Sequence, residues 1–245
     1  MKDQYFGDVN DFLKYGLLRA LVARDKLSLG VSWMLTPSNG GTDGKFLEYL
    51  GRPSIFHHRD PDVFDLLRRC VLQDRDRRTA RIEASRLLGD AEFQSSILHD
   101  DRIARDTYFA ECASRLHGRD LIFFDPDNGL EIPSKPIGRK GSSKYLYWIE
   151  ACAAFRSGSS ILIYQHFPRE RRDSFTNRAV RELRRRTGAA ALLTFTTPRV
   201  LFLLAGQETH AAFFRRSLPV LNATWHDCIV GTNHPVDHQI EPIGR

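Results

Sequence analysis

The chain has 245 residues, 42% of them hydrophobic and 27% charged, with a formal net charge of +6. That balance excludes a disordered chain, a collagen-like chain and a coiled coil, and a chain this long buries a core without staples. No run approaches the roughly 20 apolar residues of a spanning helix. The start, Met1 to Phe12, carries acids and has no apolar signal segment. The expectation is one cytoplasmic domain over 1–245, with no membrane partner. Cys70, Cys112, Cys152 and Cys228 stand far apart with no CxxC pair, which argues against a zinc cluster or a disulfide scaffold.

An N-terminal helical segment, 1–28, contains a helix over 11–24. Asp11 can cap it, and Phe12, Tyr15, Leu18 and Val22 follow helical spacing. Val31 to Leu35 reads as a buried strand. It runs into the small-residue loop Thr36 to Gly44, after which a helix restarts over Lys45 to Leu50. Helices are predicted over 61–72 and 102–117. Asp120 to Phe124 is a continuous apolar run after its first residue, the pattern of a central parallel strand buried on both faces. Turn residues 125–129 stop it. A helix over 144–156 precedes the strand Ser160 to Tyr164, which ends in Gln165-His166. A basic helix covers about 170–187. The strands 190–195 and 200–204 are too close for a parallel crossover, so they form an antiparallel hairpin. A helix over 208–219 and a short strand over 228–230 finish the chain. The alternation predicts an α/β fold, a Rossmann-like doubly wound and mostly parallel sheet with a late antiparallel hairpin.

In open α/β sheets, ligands bind beyond the carboxyl ends of the strands. Three strand ends carry polar clusters: Thr36 to Lys45, Asp125 to Asn128, and Gln165-His166. Asp125 and Asp127 could share a divalent cation or accept a proton. Alternatively, Asp125 and the Pro126 carbonyl could hold an exocyclic amine, and a plain turn remains open. Thr36, Ser38, Asn39, Gly40, Gly41, Asp43 and Lys45 form a candidate cofactor loop that lacks the Walker A and GxGxxG spacings. His166 is a candidate general base or metal ligand, or a structural histidine. His57, His58, His226, His234 and His238 show no ligand spacing. Arg169 to Arg186 holds eight arginines against three acids. Arg169, Arg171, Arg172, Arg178 and Arg185, with Lys14, are candidate nucleic-acid contacts. A solvated helix face is the alternative. Near the N-terminus, Phe12 and Tyr15 are expected in the core, while Asp8 and Asp11 are caps or site groups.

Phe6-Gly7-Asp8-Val9-Asn10-Asp11-Phe12-Leu13-Lys14 resembles the His-Ala-Gly-Asn-His-Ala-Asp-Val-Leu-Lys segment of bacterial 23S ribosomal RNA adenine-N6 methyltransferases. Asp125-Pro126-Asp127-Asn128 is similar in place to their catalytic Asp-Pro-Pro-Tyr. Leu35 to Lys45 corresponds to their cofactor loop, and the hairpin and terminal helix, Val200 to Leu221, match in order. The Asp127 and Asn128 positions depart from the Pro-Tyr pair, and Thr36 stands where an acid is expected. The chain also looks similar to a group of prokaryotic proteins with the same Phe-Asp-Pro-Asp-Asn-Gly signature. The resemblance implies a methyltransferase-like fold, S-adenosylmethionine as cofactor and nucleic acid as partner. Methyl transfer onto an amine held by Asp125 and Pro126 is then the first expectation. A Mg²⁺- or Mn²⁺-dependent nuclease, with Asp125, Asp127 and His166 as candidate ligands and Lys45 or Lys144 on the phosphate, is the second. A non-catalytic nucleic-acid or nucleotide binder is the third.

Overall fold

The apolar runs form the middle of a sheet. The computed structural model describes residues 1–22, 27–37 and 44–235. The chain begins with α1 (Val9–Val22), β1 (Leu29–Ser32), α2 (Pro53–Phe56), α3 (Pro61–Arg68), α4 (Ala80–Ser85) and β2 (Glu92–Gln94). Then come α5 (Arg102–Arg115), β3 (Leu121–Phe124), β4 (Gly129–Leu130), β5 (Tyr145–Leu146), α6 (Trp148–Arg156) and β6 (Ser160–His166). The last third holds α7 (Arg172–Thr187), β7 (Ala191–Thr196), β8 (Val200–Gly206), α8 (Glu208–Trp225) and β9 (Val230–His234).

Seven strands share one sheet in the order β2-β1-β3-β6-β8-β7-β9, and β4 and β5 form a separate two-stranded ribbon. The strands β2, β1, β3 and β6 run parallel. β8 is antiparallel to both β6 and β7, and β9 is antiparallel to β7. The α/β class and the late hairpin are therefore those the sequence predicts. The hairpin inserts its second strand, β8, between β6 and β7.

Strand alternation divides the core into two layers. Val31, Phe123 and Leu162 pack with Phe12 of α1, Phe64 of α3 and Phe214 of α8. Ile122, Phe124, Ile161 and Ile163 pack with Tyr108 of α5, Phe155 of α6 and Leu183 of α7. Helices cover both faces, so β3 is apolar at every position and β6 is apolar over Ile161, Leu162 and Ile163.

Several boundaries differ from expectation. The first helix starts at Val9, because Asp8, not Asp11, caps it: Asp8 Oδ1 accepts from the Asn10 and Asp11 amides at 2.8 and 3.1 Å. The first strand stops at Ser32, since Met34 adopts φ +48°, and Leu35 makes only an isolated parallel bridge to Ile97. The helix expected over 45–50 is a single 3₁₀ turn, Glu48–Gly51. The helix expected from 144 starts at Trp148. The buried Arg105 donates to the Ser142 carbonyl at 3.1 Å and the Tyr145 carbonyl at 2.7 Å, which holds that stretch out of a helix. The last helix continues past Pro219 to Trp225, where Leu221 and Trp225 are buried against the core. The tail strand lies at 230–234 instead of 228–230. Among the described residues no helix is long and apolar enough to cross a membrane.

Candidate functional site

Parallel register brings the carboxyl ends of β1, β3 and β6 side by side: Ser32 pairs with Phe124, and Phe124 with Ile163. The next residues of each strand therefore meet at one edge, where α1 lies across them. A cavity of about 400 Å³ opens there. Lys45, Asp125, Pro126, Asp127, Asn128 and His166 line it, as the strand-end argument predicts. Asp8, Asp11 and Lys14 reach it from α1 and its cap.

Lys14 is the centre of this arrangement. Its Nζ lies 2.6 Å from Asp11 Oδ1 and 2.6 Å from Asp125 Oδ2, with all three side chains at most 3% exposed. The rings of Tyr15, Trp33 and Tyr164 surround the ammonium at 5.3 to 5.6 Å. Burial opposes the charge, but Asp11 and Asp125 overcome it and raise the Lys14 pKa. Lys14 is thus not a phosphate contact, as the sequence reading grouped it: it is enclosed and fully engaged by two carboxylates. Asp11 also accepts from the Gly7 amide at 2.9 Å. Burial raises its pKa, against the pull of Lys14. Burial, then repulsion by Asp11, pushes the Asp8 carboxyl up to about 7.

The two acids of the turn point to different partners. Asp125 takes Lys14. Asp127 Oδ1 lies 2.7 Å from the Met1 ammonium, and its Oδ2 accepts from Thr36 Oγ1 at 2.8 Å. The Met1 ammonium also donates to the Asp125 and Met34 carbonyls at 3.0 and 3.2 Å. Burial works against the Asp127 charge, but the ammonium and the Thr36 hydroxyl hold its pKa below the usual carboxylate value. Asp125 is therefore paired with Lys14, which it shares with Asp11, and Asp127 with the Met1 ammonium. Among the described residues no group of three or more His, Cys, Asp or Glu is arranged to hold a metal ion. This donor set does not fit the divalent cation of the nuclease reading.

The turn is locked from β6. Gly129 has φ +110°, and a Cβ there would lie 2.4 Å from the Gln165 amide. Gln165 Oε1 accepts from Leu130 N at 2.7 Å, while its Nε2 donates to the Asn128 and His166 carbonyls at 3.3 and 2.6 Å. His166 follows at the open edge, its ring 5.1 Å from that of Tyr164. Burial lowers the imidazole pKa, opposed by Asp125 and Asp127. That direction favours the neutral ring, which can accept a proton.

Of the proposed cofactor loop, Thr36 is bound to Asp127 and Lys45 is exposed at the cavity. Ser38, Asn39, Gly40, Gly41 and Asp43 lie outside the described residues. Arg169, Arg171, Arg172, Arg178 and Arg185 are all exposed. Arg172 donates to the Pro198 carbonyl at 2.6 Å. Arg178 pairs with Glu170 at 2.6 Å and Arg185 with Glu182 at 2.7 Å, so these two are already partnered.

No protein-family model and no curated protein matches the chain. The geometry of the site therefore carries the functional argument. Sequence reasoning missed Gln165 as the lock of the turn and Asp8 as a buried titrating group. Gly129 directly after an Asp-Pro-Asp-Asn turn was the available signal for the first. The second had none, since an acid before a helix reads as a cap.

Proposed function

We propose that this protein is an S-adenosylmethionine-dependent methyltransferase acting on an exocyclic amine of a nucleic-acid base. One observation carries the reading. The two segments most similar to the adenine-N6 methyltransferases are 111 residues apart in the chain, and the Lys14–Asp125 contact joins them at 2.6 Å. The sheet order supports it, with an antiparallel strand inserted beside a parallel set.

The residues present suit the cofactor's chemistry. A cavity of about 400 Å³ falls in the small-molecule range. Lys45 offers a cation for a carboxylate, Asp8 a carboxyl group for an ammonium group or a ribose diol, and Phe46 an apolar face. The bound cofactor supplies an electrophilic methyl group. Asp125 accepts a hydrogen from the target amine, with the Pro126 carbonyl as second acceptor. Lys14 holds Oδ2 of the Asp125 carboxylate, and on this reading Oδ1 is assigned to the amine. Positioning of the amine is the main contribution of the protein. A neutral His166 at the cavity edge takes up the proton that the amine releases.

Calorimetry with S-adenosylmethionine and S-adenosylhomocysteine, with and without Mg²⁺, tests this. The expected result is micromolar binding of both, indifferent to Mg²⁺. A folded sample that binds neither refutes the proposal. A binder without chemistry is the second reading, favoured by the pairing of both motif carboxylates with ammonium groups. It predicts that Asp125→Asn leaves nucleic-acid affinity and cellular role unchanged.

A further inference from the structure

Past Asn128 and His166 the site continues into a larger recess of about 740 Å³ between the β4–β5 ribbon and α7. Its floor is apolar and aromatic, built from Leu130, Trp148, Phe167 and Phe175. Phe167 and Phe175 are half-buried and meet edge to face at 6.1 Å between ring centres. Asn128 and His166 line both the recess and the smaller cavity, so the two spaces adjoin. Within the described residues the Asn128 side-chain amide has no hydrogen bond, and it offers both a donor and an acceptor.

The rim comes from α7. Arg178, Arg181 and Arg185 lie at helical spacing on one face. Arg178 and Arg185 are held by Glu170 and Glu182. Arg181 is exposed and makes no ion pair or hydrogen bond within the described residues. The lining holds three arginines and three glutamates, Glu131 being the third acid. The recess itself therefore draws little on charge. The unbalanced positive charge lies just outside it, on the exposed Arg169 and Arg171.

An aromatic floor with a balanced rim suits a flat, uncharged group, and the cations beside it suit phosphates. We propose that this recess seats unpaired bases of a single-stranded nucleic acid next to the reacting base, with the backbone along the start of α7. The proposal rests on the methyl-transfer reading for its position beside the site. Every base has a π-face for the aromatic floor, whereas a duplex keeps those faces stacked on each other.

The test is fluorescence anisotropy with a labelled ten-nucleotide oligoadenylate, as RNA and as DNA, single-stranded and in duplex. The single strand is expected to bind more tightly than the duplex. Phe175→Ala is expected to weaken it roughly tenfold, since one stacking surface is lost. Arg169→Glu combined with Arg171→Glu, exposed changes that leave the core intact, is expected to weaken it several-fold and reduce the salt dependence. Thermal melts of both variants confirm that each is folded. Equal binding of the duplex, or unchanged affinity in both variants, overturns the proposal. Calorimetry with S-adenosylmethionine separates the two levels. Cofactor binding without the strand effects refutes the recess alone. Strand effects without cofactor binding refute methyl transfer and leave the recess standing.

Discussion

Replacing Lys14 by Met keeps the length of the side chain and removes its charge. The side chain is 2% exposed and lies 2.6 Å from each of two buried carboxylates. Removing it leaves Asp11 and Asp125 facing each other without a cation. Breaking a buried ion pair in this way costs about 3–5 kcal/mol. For a chain of this size that is a fall in Tm of about 6–20 °C. The loss also depends on pH. In the variant the two acids lower their mutual repulsion by taking up a proton that the unfolded chain releases near the normal carboxylate pKa. The stability deficit is therefore largest at pH 8 and shrinks toward pH 5. Urea unfolding at both pH values measures it. A deficit below about 1 kcal/mol at pH 8, or one of the same size at pH 5, would refute the account of Lys14 as the shared counter-charge.

Asp8 gives a prediction for the wild-type protein. Its pKa rises from 3.8 to about 7 on folding. The folded state thus keeps a proton that the unfolded chain has lost, and stability falls as pH rises from about 4 to about 7. Asp8→Asn preserves an acceptor for the cap and flattens that slope, with a gain of up to about 4 kcal/mol at pH 8; urea midpoints across pH 4 to 8 check both parts. Gly129→Ala is expected to cost about 2 kcal/mol or more, from a strained backbone and a collision with Gln165. Denaturant titration reads the cost, and a neutral result refutes the lock. Arg105→Leu leaves Glu150 buried without its 2.6 Å partner and should cost about 3–5 kcal/mol in thermal melts. Adding Glu150→Leu to the same chain should recover part of it.

The middle of the sheet was legible because its strands are covered on both faces. Leu121 to Phe124 and Ile161 to Ile163 could be apolar throughout, and they stand out as runs. The hairpin was legible from the length of its connector. β2 was not, since three residues at a sheet edge, Glu-Phe-Gln, carry no periodicity. The helix start near 144 misled because Arg105, distant in sequence, holds the backbone at Ser142 and Tyr145. At the site, the turn 125–129 was visible as a strand end. The partition of its two acids was not. Asp125 and Asp127 read as a pair from spacing alone, and only the positions of Lys14 and the Met1 ammonium separate them.

That partition bears on which ligand the cavity favours. Asp8, Asp11, Asp125 and Asp127 surround it, and the Lys14 and Met1 ammonium groups are the buried cations paired with them. The carboxylates outnumber those cations, and Asp8 answers by holding a proton up to about pH 7. A cationic ligand beside Asp8 stabilises its ionised form and lowers its pKa. Binding of such a ligand near pH 6.5 therefore releases a proton, while a neutral ligand of the same shape releases less. S-adenosylmethionine carries a sulfonium charge, and S-adenosylhomocysteine has an uncharged thioether in its place. Calorimetry at pH 6.5 in two buffers of different ionisation enthalpy counts the protons. The expected result is a larger release with the sulfonium compound, abolished by Asp8→Asn. Equal release by both compounds would mean that the excess carboxylate at Asp8 does not face the ligand's charge.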